Sequence, residues 1–258
     1  MRLRFLGTGT SFGVPVIGCR CAVCASGDPR DRRTRHAALL QEEGRTLLVD
    51  TPPELRLQLI AAGVRGVDAV WYTHTHADHV HGVDDLRVFS RQGGQALPVY
   101  AHERDRKTLV SRFAYVFDPT VPPLKGTSKP EAELHDFRSY EPVRAAGFEL
   151  LPLPVPHGDA QVHGFRVGGL GYITDAKRLP PRTEEALRGV RVLVLNALWW
   201  GEPHPNHFSV EEACETAGRL GAERTYLTHL SHRTSQAELD RRLPAGVRAA
   251  YDGLEVEV

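Results

Sequence analysis

The residues with the most evident chemistry are crowded into Thr73-His74-Thr75-His76-Ala77-Asp78-His79, where three imidazoles and a carboxylate fall within six positions. These side-chain types suit divalent Zn, Mn or Fe, and such density is rare on a merely solvated surface. The preceding run, Val67-Asp68-Ala69-Val70-Trp71-Tyr72, is β-branched and aromatic and reads as a buried strand that delivers the histidines at its C-terminal end. In an extended segment alternate side chains share a face, which puts His74 and His76 together. Asp78 and His79 lie past the bend and reach a second point nearby. The spacing therefore predicts two metal ions side by side.

Other strand ends supply what this loop lacks. Residues 148–155 form a proline-limited strand ending at Pro156-His157-Gly158, so His157 is placed like His74 and is preferred as a ligand over His163. Gly171-Tyr172-Ile173-Thr174-Asp175 delivers a carboxylate that can bridge two cations. Thr225-Tyr226-Leu227-Thr228-His229 delivers one more imidazole. Asp50, after the strand at residues 46–49, either orients a metal-binding histidine or caps the helix expected over residues 54–62. His207 stands two residues before Ser209, which with Glu212 forms a capping box for a helix over residues 210–220. A helix start of this kind attracts phosphate, and His207 is a candidate general acid.

A second cluster has different chemistry. Cys19-Arg20-Cys21-Ala22-Val23-Cys24 lets three thiolates face one point, and a tetrahedral structural zinc then needs one further ligand, for which His232 is free. Cys214 falls on the apolar stripe of its helix and reads as core.

His-x-His-x-Asp-His resembles the signature of the metallo-β-lactamase-fold hydrolases, and His74, His76, Asp78, His79, His157, Asp175 and His229 match that superfamily's dinuclear ligand set in order. Cys19, Cys21 and Cys24 with His232, the Pro-x-x-His157 approach, Asn206-His207, residues 228–232 and the closing Asp252-Gly253-Leu254-Glu255 resemble the phosphoribosyl cyclic phosphodiesterase (PhnP) family nearly end to end. The resemblance implies an α/β fold, a four-layer αβ/βα sandwich with two mixed sheets and the active site between them. It implies two divalent ions (Zn or Mn) in the active site, a structural Zn, a homodimer, and His207 and Asp78 among the catalytic residues. The activity it implies is hydrolysis of a small cyclic phosphate, of the 5-phosphoribosyl 1,2-cyclic phosphate type, by a hydroxide bridging the two ions. Competing readings are a 2′,3′-cyclic nucleotide phosphodiesterase, a tRNA 3′-processing nuclease, a thioester or lactone hydrolase, and a silent binding or biosynthetic module on the same fold.

The elements that must hold these groups follow from the rest of the chain. Its 258 residues are expected to form one domain burying roughly 75% of the unfolded surface. Lys plus Arg and Asp plus Glu are both 32, so bulk charge does not point to nucleic acid; a small phosphorylated substrate is the partner that the resemblance implies. Residues 1–7 lack an apolar signal core, and the longest apolar run, residues 190–200, is too short to span a bilayer; no membrane partner and a cytoplasmic location are expected. Residues 36–40 and 46–49 read as a hairpin around Gly44, residues 82–90 as helix, and Gly7-Thr8-Gly9 as a turn. Residues 28–35 read as a solvated charged face whose arginines can approach a substrate phosphate, and His81 and His102 as ordinary polar residues. The proline-rich residues 118–136 read as an irregular substrate or dimer loop, and residues 249–258 as a terminal strand pair turning at Asp252-Gly253.

Overall fold

The alternating β1 (Arg2–Gly7) pairs with the mostly apolar, buried β2 (Ala37–Glu42) and β3 (Arg45–Val49) in an antiparallel meander. The short, fully buried β4 (Ala69–Trp71) and the partly exposed β5 (Leu97–His102) and β6 (Ala132–Phe137) then extend the sheet in parallel. A second sheet holds β7 (Val143–Ala145), β8 (Phe148–His157), β9 (Ala160–Val167), β10 (Leu170–Tyr172), β11 (Val192–Asn196), β12 (Arg224–Thr228) and β13 (Val247–Ala249). The last strand, β14 (Glu255–Glu257), returns to pair with β1. The sheet orders are β14-β1-β2-β3-β4-β5-β6 and β13-β12-β11-β10-β9-β8-β7, each mixed and each of seven strands. The computed structural model describes residues 1–93 and 95–258.

Three apolar layers separate four layers of structure. The middle one joins the two sheets: Leu3, Phe5 and Trp71 from the first meet Phe165, Tyr172 and Tyr226 from the second. Trp71 stacks on Phe137 with ring centroids 4.1 Å apart, and Phe165 stacks on Tyr172 at 5.1 Å. Outside the first sheet lie α1 (Leu55–Ala61), α2 (Ala77–Val80), α3 (Arg87–Gly93), α4 (Arg106–Arg112) and α5 (Ala114–Phe117), sealed by Leu55, Leu59, Val80, Leu109 and Val116. Outside the second lie α6 (Pro181–Leu187), α7 (Val210–Leu220) and α8 (Gln236–Arg242), sealed by Leu187, Val210, Ala213, Leu220 and Leu239. This is the four-layer αβ/βα sandwich. No helix among the described residues is long and apolar enough to cross a membrane.

Several local expectations are corrected. The end of the chain is not a strand pair: β13 joins β12 and β14 joins β1, so the turn at Asp252-Gly253 carries the chain from one sheet to the other. Asp252 anchors that crossing by accepting from the backbone and hydroxyl of both Thr8 and Thr34 at 2.7–2.9 Å. Residues 28–35 are not wholly solvated either. Arg33 is 2% exposed and donates to Thr8 Oγ1, the Ala250 carbonyl and Gln236 Oε1, so the chain's own polar groups, not a substrate, complete it. Buried Asp31 accepts from the Gln236 backbone. Gly7 and Gly9 permit close approach: a Cβ at Gly7 would stand 1.9 Å from the Arg35 carbonyl oxygen. The stretch 82–90 divides into a 3-10 turn (Val83–Leu86) and the start of α3. The irregular stretch after α5 ends at β6, which takes up residues 132–136.

Candidate metal centre

The proposed active-site ligands follow strand ends, except Asp78 and His79, which sit in the helical turn just beyond one. β4 stops at Trp71, and the following residues carry His74 and His76 before α2 begins, with His76 as its N-cap residue and Asp78 and His79 inside its single turn. β8 ends on His157, β10 runs toward Asp175, and His229 directly follows β12. Asp50, Asp175 and His229 all have left-handed backbone, with φ of 62°, 51° and 60°. For residues with a Cβ this conformation costs about 1–2 kcal/mol each, and here it turns the side chain sharply off the strand axis.

Asp175 is the hub. Its carboxylate lies 3.2 Å from His79 Nε2, 3.2 Å from His229 Nε2 and 3.5 Å from His74 Nε2. The ligand atoms of His74, His76, His157 and Asp175 fall within 4.8 Å of one another, as do those of Asp78, His79 and His229. The structure thus brings all seven residues together in two subgroups that meet at Asp175. The buried Nε2 atoms of His74, His79 and His229 have no hydrogen-bond partner among the described residues. Orphaned buried nitrogens call for a ligand, and imidazole with carboxylate fits Zn or Mn.

The opposite ring edges of His74, His79 and His157 are held so that Nε2 stays free. His79 Nδ1 donates to Asp50 Oδ2 at 2.7 Å. Thr73 donates its backbone N–H and its hydroxyl to Asp50, both at 2.8 Å, which leaves the hydroxyl oxygen as acceptor for His74 Nδ1 at 3.1 Å. His157 Nδ1 donates to the Asn206 carbonyl at 3.1 Å. Asp50 therefore orients two imidazoles and does not cap α1, whose N-cap is Glu54.

Electrostatics favour the deprotonated form of every shifted donor except His79. Burial pushes His74, His76 and His229 below the ordinary imidazole range, keeping them neutral. Burial pushes Asp175 upward, but the imidazoles of His229 and His79 outweigh it and hold the carboxyl well below its usual value. His79, lowered by burial alone, is raised well above its ordinary value by Asp175, Asp50 and Asp78.

His207 stands over this cluster, its ring 4.6 Å from that of His157 and 4.8 Å from that of His229. Asn196 Oδ1 accepts from the Ala176 backbone N–H, so the amide nitrogen is the atom that faces His207 Nδ1 at 3.4 Å. An amide nitrogen only donates; His207 Nδ1 therefore accepts and Nε2 carries the proton. Burial, then His229, push this imidazole down to about 2. Behind the centre, His36 bridges Tyr172 Oη at 2.6 Å and Thr228 Oγ1 at 3.2 Å. Sequence patterns do not single out Asn196 or His36, because their partners are remote in the chain.

The cysteine cluster forms a separate group. His232 Nδ1 lies 3.4, 3.4 and 3.5 Å from the sulfurs of Cys19, Cys21 and Cys24. Backbone N–H groups of Val16 and Cys24 donate to Cys24 Sγ and Cys21 Sγ, each at 3.4 Å. The Cys24 bond and then His232 lower the Cys21 thiol to about 6, while burial raises Cys24 to about 11. Three sulfurs around one imidazole nitrogen match the tetrahedral donor set zinc takes.

His163 and His102 stay outside both clusters. They stack face to face at 4.0 Å, and both are buried, so His102 is not an ordinary polar residue.

Known proteins resemble this chain in sequence and fold. The β-lactamase superfamily domain model matches residues 45–230. The chain is 37% identical to an octanoyltransferase of Porphyromonas gingivalis, over 99% of this chain and 51% of that protein, so it spans about half of that relative's length. It is 28% identical to a ribonuclease Z of Mycobacterium sp. (strain KMS), over 78% of this chain and 79% of the relative. Among solved structures, a diphosphatase from the PhnP family is 40% identical and superposes with a TM-score of 0.90, covering 100% of this chain and 97% of that one. The chain belongs to the metallo-β-lactamase-fold hydrolases and, within them, to the PhnP family.

Proposed function

We propose that this chain is a dinuclear metal-dependent phosphodiesterase that opens a small cyclic phosphate of the 5-phosphoribosyl 1,2-cyclic phosphate type. One observation carries the reading: a single ionised carboxylate, Asp175, faces the orphaned nitrogens of three buried imidazoles. His74, His76 and His157 hold one ion and Asp78, His79 and His229 the other, with Asp175 shared. Two divalent ions in such a site supply hydroxide at neutral pH and positive charge for phosphoryl oxygens. Asp50 keeps His79 and His74 in the tautomers that present Nε2. His207 presents its Nε2–H to the leaving oxygen and would pass that proton on once the ring has taken up a second proton from solvent on Nδ1. A neutral imidazole is a weak acid, and the arriving phosphate anion is what raises its proton affinity. Cys19, Cys21, Cys24 and His232 hold a structural zinc, and the assembly is a homodimer acting on a small phosphorylated molecule in the cytoplasm.

The PhnP-family neighbour's being a diphosphatase favours a second reading, hydrolysis of a phosphoanhydride by the same groups. Phosphorus NMR of the manganese- or zinc-loaded protein with 5-phosphoribosyl 1,2-cyclic phosphate, 2′,3′-cyclic AMP and a sugar diphosphate separates the readings. Fast regiospecific opening of the sugar cyclic phosphate supports the proposal. Turnover of the diphosphate alone replaces it with the second reading, and turnover of the nucleotide alone moves the substrate to nucleotide metabolism.

A further inference from the structure

A loop of residues 199–207 joins the stretch after β11 to α7 and carries His207 at its end. Its two ends are tied together: the Leu198 backbone N–H donates to the Phe208 carbonyl at 3.0 Å, and the Val210 N–H to the Trp199 carbonyl at 2.9 Å. A closed surface loop of this kind is packed by its own side chains. Two groups of the metal centre depend on it. His207 is one, and the other is the Asn206 carbonyl, which takes the His157 Nδ1–H. The His207 ring has one hydrogen bond among the described residues, the long 3.4 Å contact to Asn196. A bond of that length does not fix a ring plane, so packing must.

The packing comes from a row of rings inside the loop. Trp199 donates its indole N–H to the Glu202 carbonyl at 2.9 Å, and the Arg233 guanidinium stacks 4.0 Å from its ring centroid. His204 meets Trp199 at 87°, with centroids 5.7 Å apart, and the His207 ring lies 5.1 Å from His204. His204 is also held at its own edge. The Asn206 backbone N–H donates to His204 Nδ1 at 3.2 Å, which ties this imidazole to the residue that braces His157. Among the described residues, neither Trp199 nor His204 falls in a group that could hold a metal ion.

The geometry points to Trp199 and His204 as positioning residues for proton donation: they hold the His207 ring so that Nδ1 stays on Asn196 and the Nε2–H is left for the leaving oxygen. The inference rests on the phosphodiesterase reading for the acid step and deepens it by naming what aims the acid. Misplacing a reacting group by about 1 Å costs on the order of a hundredfold in rate, so the row of rings acts on kcat without touching substrate.

The test compares Trp199→Ala, Trp199→Phe, His204→Ala and His204→Asn with wild type, all metal-loaded, on two substrates. 5-Phosphoribosyl 1,2-cyclic phosphate expels a sugar oxygen that needs a proton; bis(p-nitrophenyl) phosphate expels a phenolate that does not. We expect Trp199→Ala and His204→Ala to lower kcat on the sugar substrate at least about tenfold, with KM and the aryl diester rate changed far less. Trp199→Phe keeps an aromatic ring, and His204→Asn keeps an acceptor for the Asn206 N–H, so each should recover most of the loss. Equal losses on both substrates, or none, overturn the inference. If wild type does not open the sugar phosphate, the proposed function fails separately, and long-range proton–nitrogen NMR of the His207 ring, assigned with His207→Gln, decides. A single tautomer protonated on Nε2 in wild type and averaged tautomers in Trp199→Ala support the inference; identical ring signals in both proteins overturn it.

Discussion

The Asp175 cluster joins four groups from the stretch after β4 to three more from three further strand ends, whereas the Cys19 cluster takes three of its four from one short loop outside any sheet. In the first, hydrogen bonds with Asp50, Thr73 and the Asn206 carbonyl fix His74, His79 and His157 before any ligand arrives. In the second, the loop has little regular structure and its sulfurs are only partly buried. The difference is between a site whose geometry the sheets impose and a site that a bound ion would itself organise. A centre of the first kind keeps its shape for chemistry; one of the second kind contributes folding free energy.

The largest effect that separates them is expected from His207→Ala, a loss of about 10² to 10⁴-fold in kcat with both active-site ions retained. Elemental analysis beside kinetics checks it, and loss of metal in proportion to activity would make His207 a ligand. Asp50→Ala is expected to weaken active-site metal affinity by about 10 to 100-fold while leaving the cysteine site filled, measured by competition with a chromophoric chelator. Equal loss from both clusters would erase the distinction between them.

Acidification is the third probe. His74, His76 and His229 have folded-state pKa values below the unfolded one, so the unfolded chain binds protons that the native cluster does not. Their contribution is present above about pH 6.5 and is lost progressively as pH falls below it. His79, shifted upward, works in the opposite sense, and the three lowered imidazoles outnumber it. Dialysis from pH 8 to pH 5 should release the active-site ions and lower Tm together; constant metal content across that range would contradict the assignment.

The smallest kinetic effect belongs to the cysteine site. Cys21→Ser should remove one zinc per chain and lower Tm by at least about 5 °C, with kcat nearly unchanged. An unaltered metal count would sink the structural-zinc assignment.

Much of this was legible because period and ligand spacing are local properties. The run before His74, the proline-limited approach to His157 and the Ser209–Glu212 box each declare themselves within a few residues, and Ser209 does cap α7 with Glu212 answering. What stayed hidden depends on partners far away in the chain. Arg33 reads as one charge in a solvated run, yet Thr8, Gln236 and Ala250 enclose it from both sides of the fold. The strands near the C-terminus look like a hairpin because the turn signal at Asp252-Gly253 is genuine, but tertiary pairing assigns them to different sheets. His102 looks like an ordinary polar residue until β5 and β9 bring it face to face with His163.

Anomalous diffraction from crystals of the metal-loaded protein, recorded at the zinc and manganese edges, tests the central claim most directly. Two peaks flanking Asp175 and a third among Cys19, Cys21, Cys24 and His232 are predicted. A single peak at Asp175, or none there with the protein fully active, would contradict a dinuclear centre.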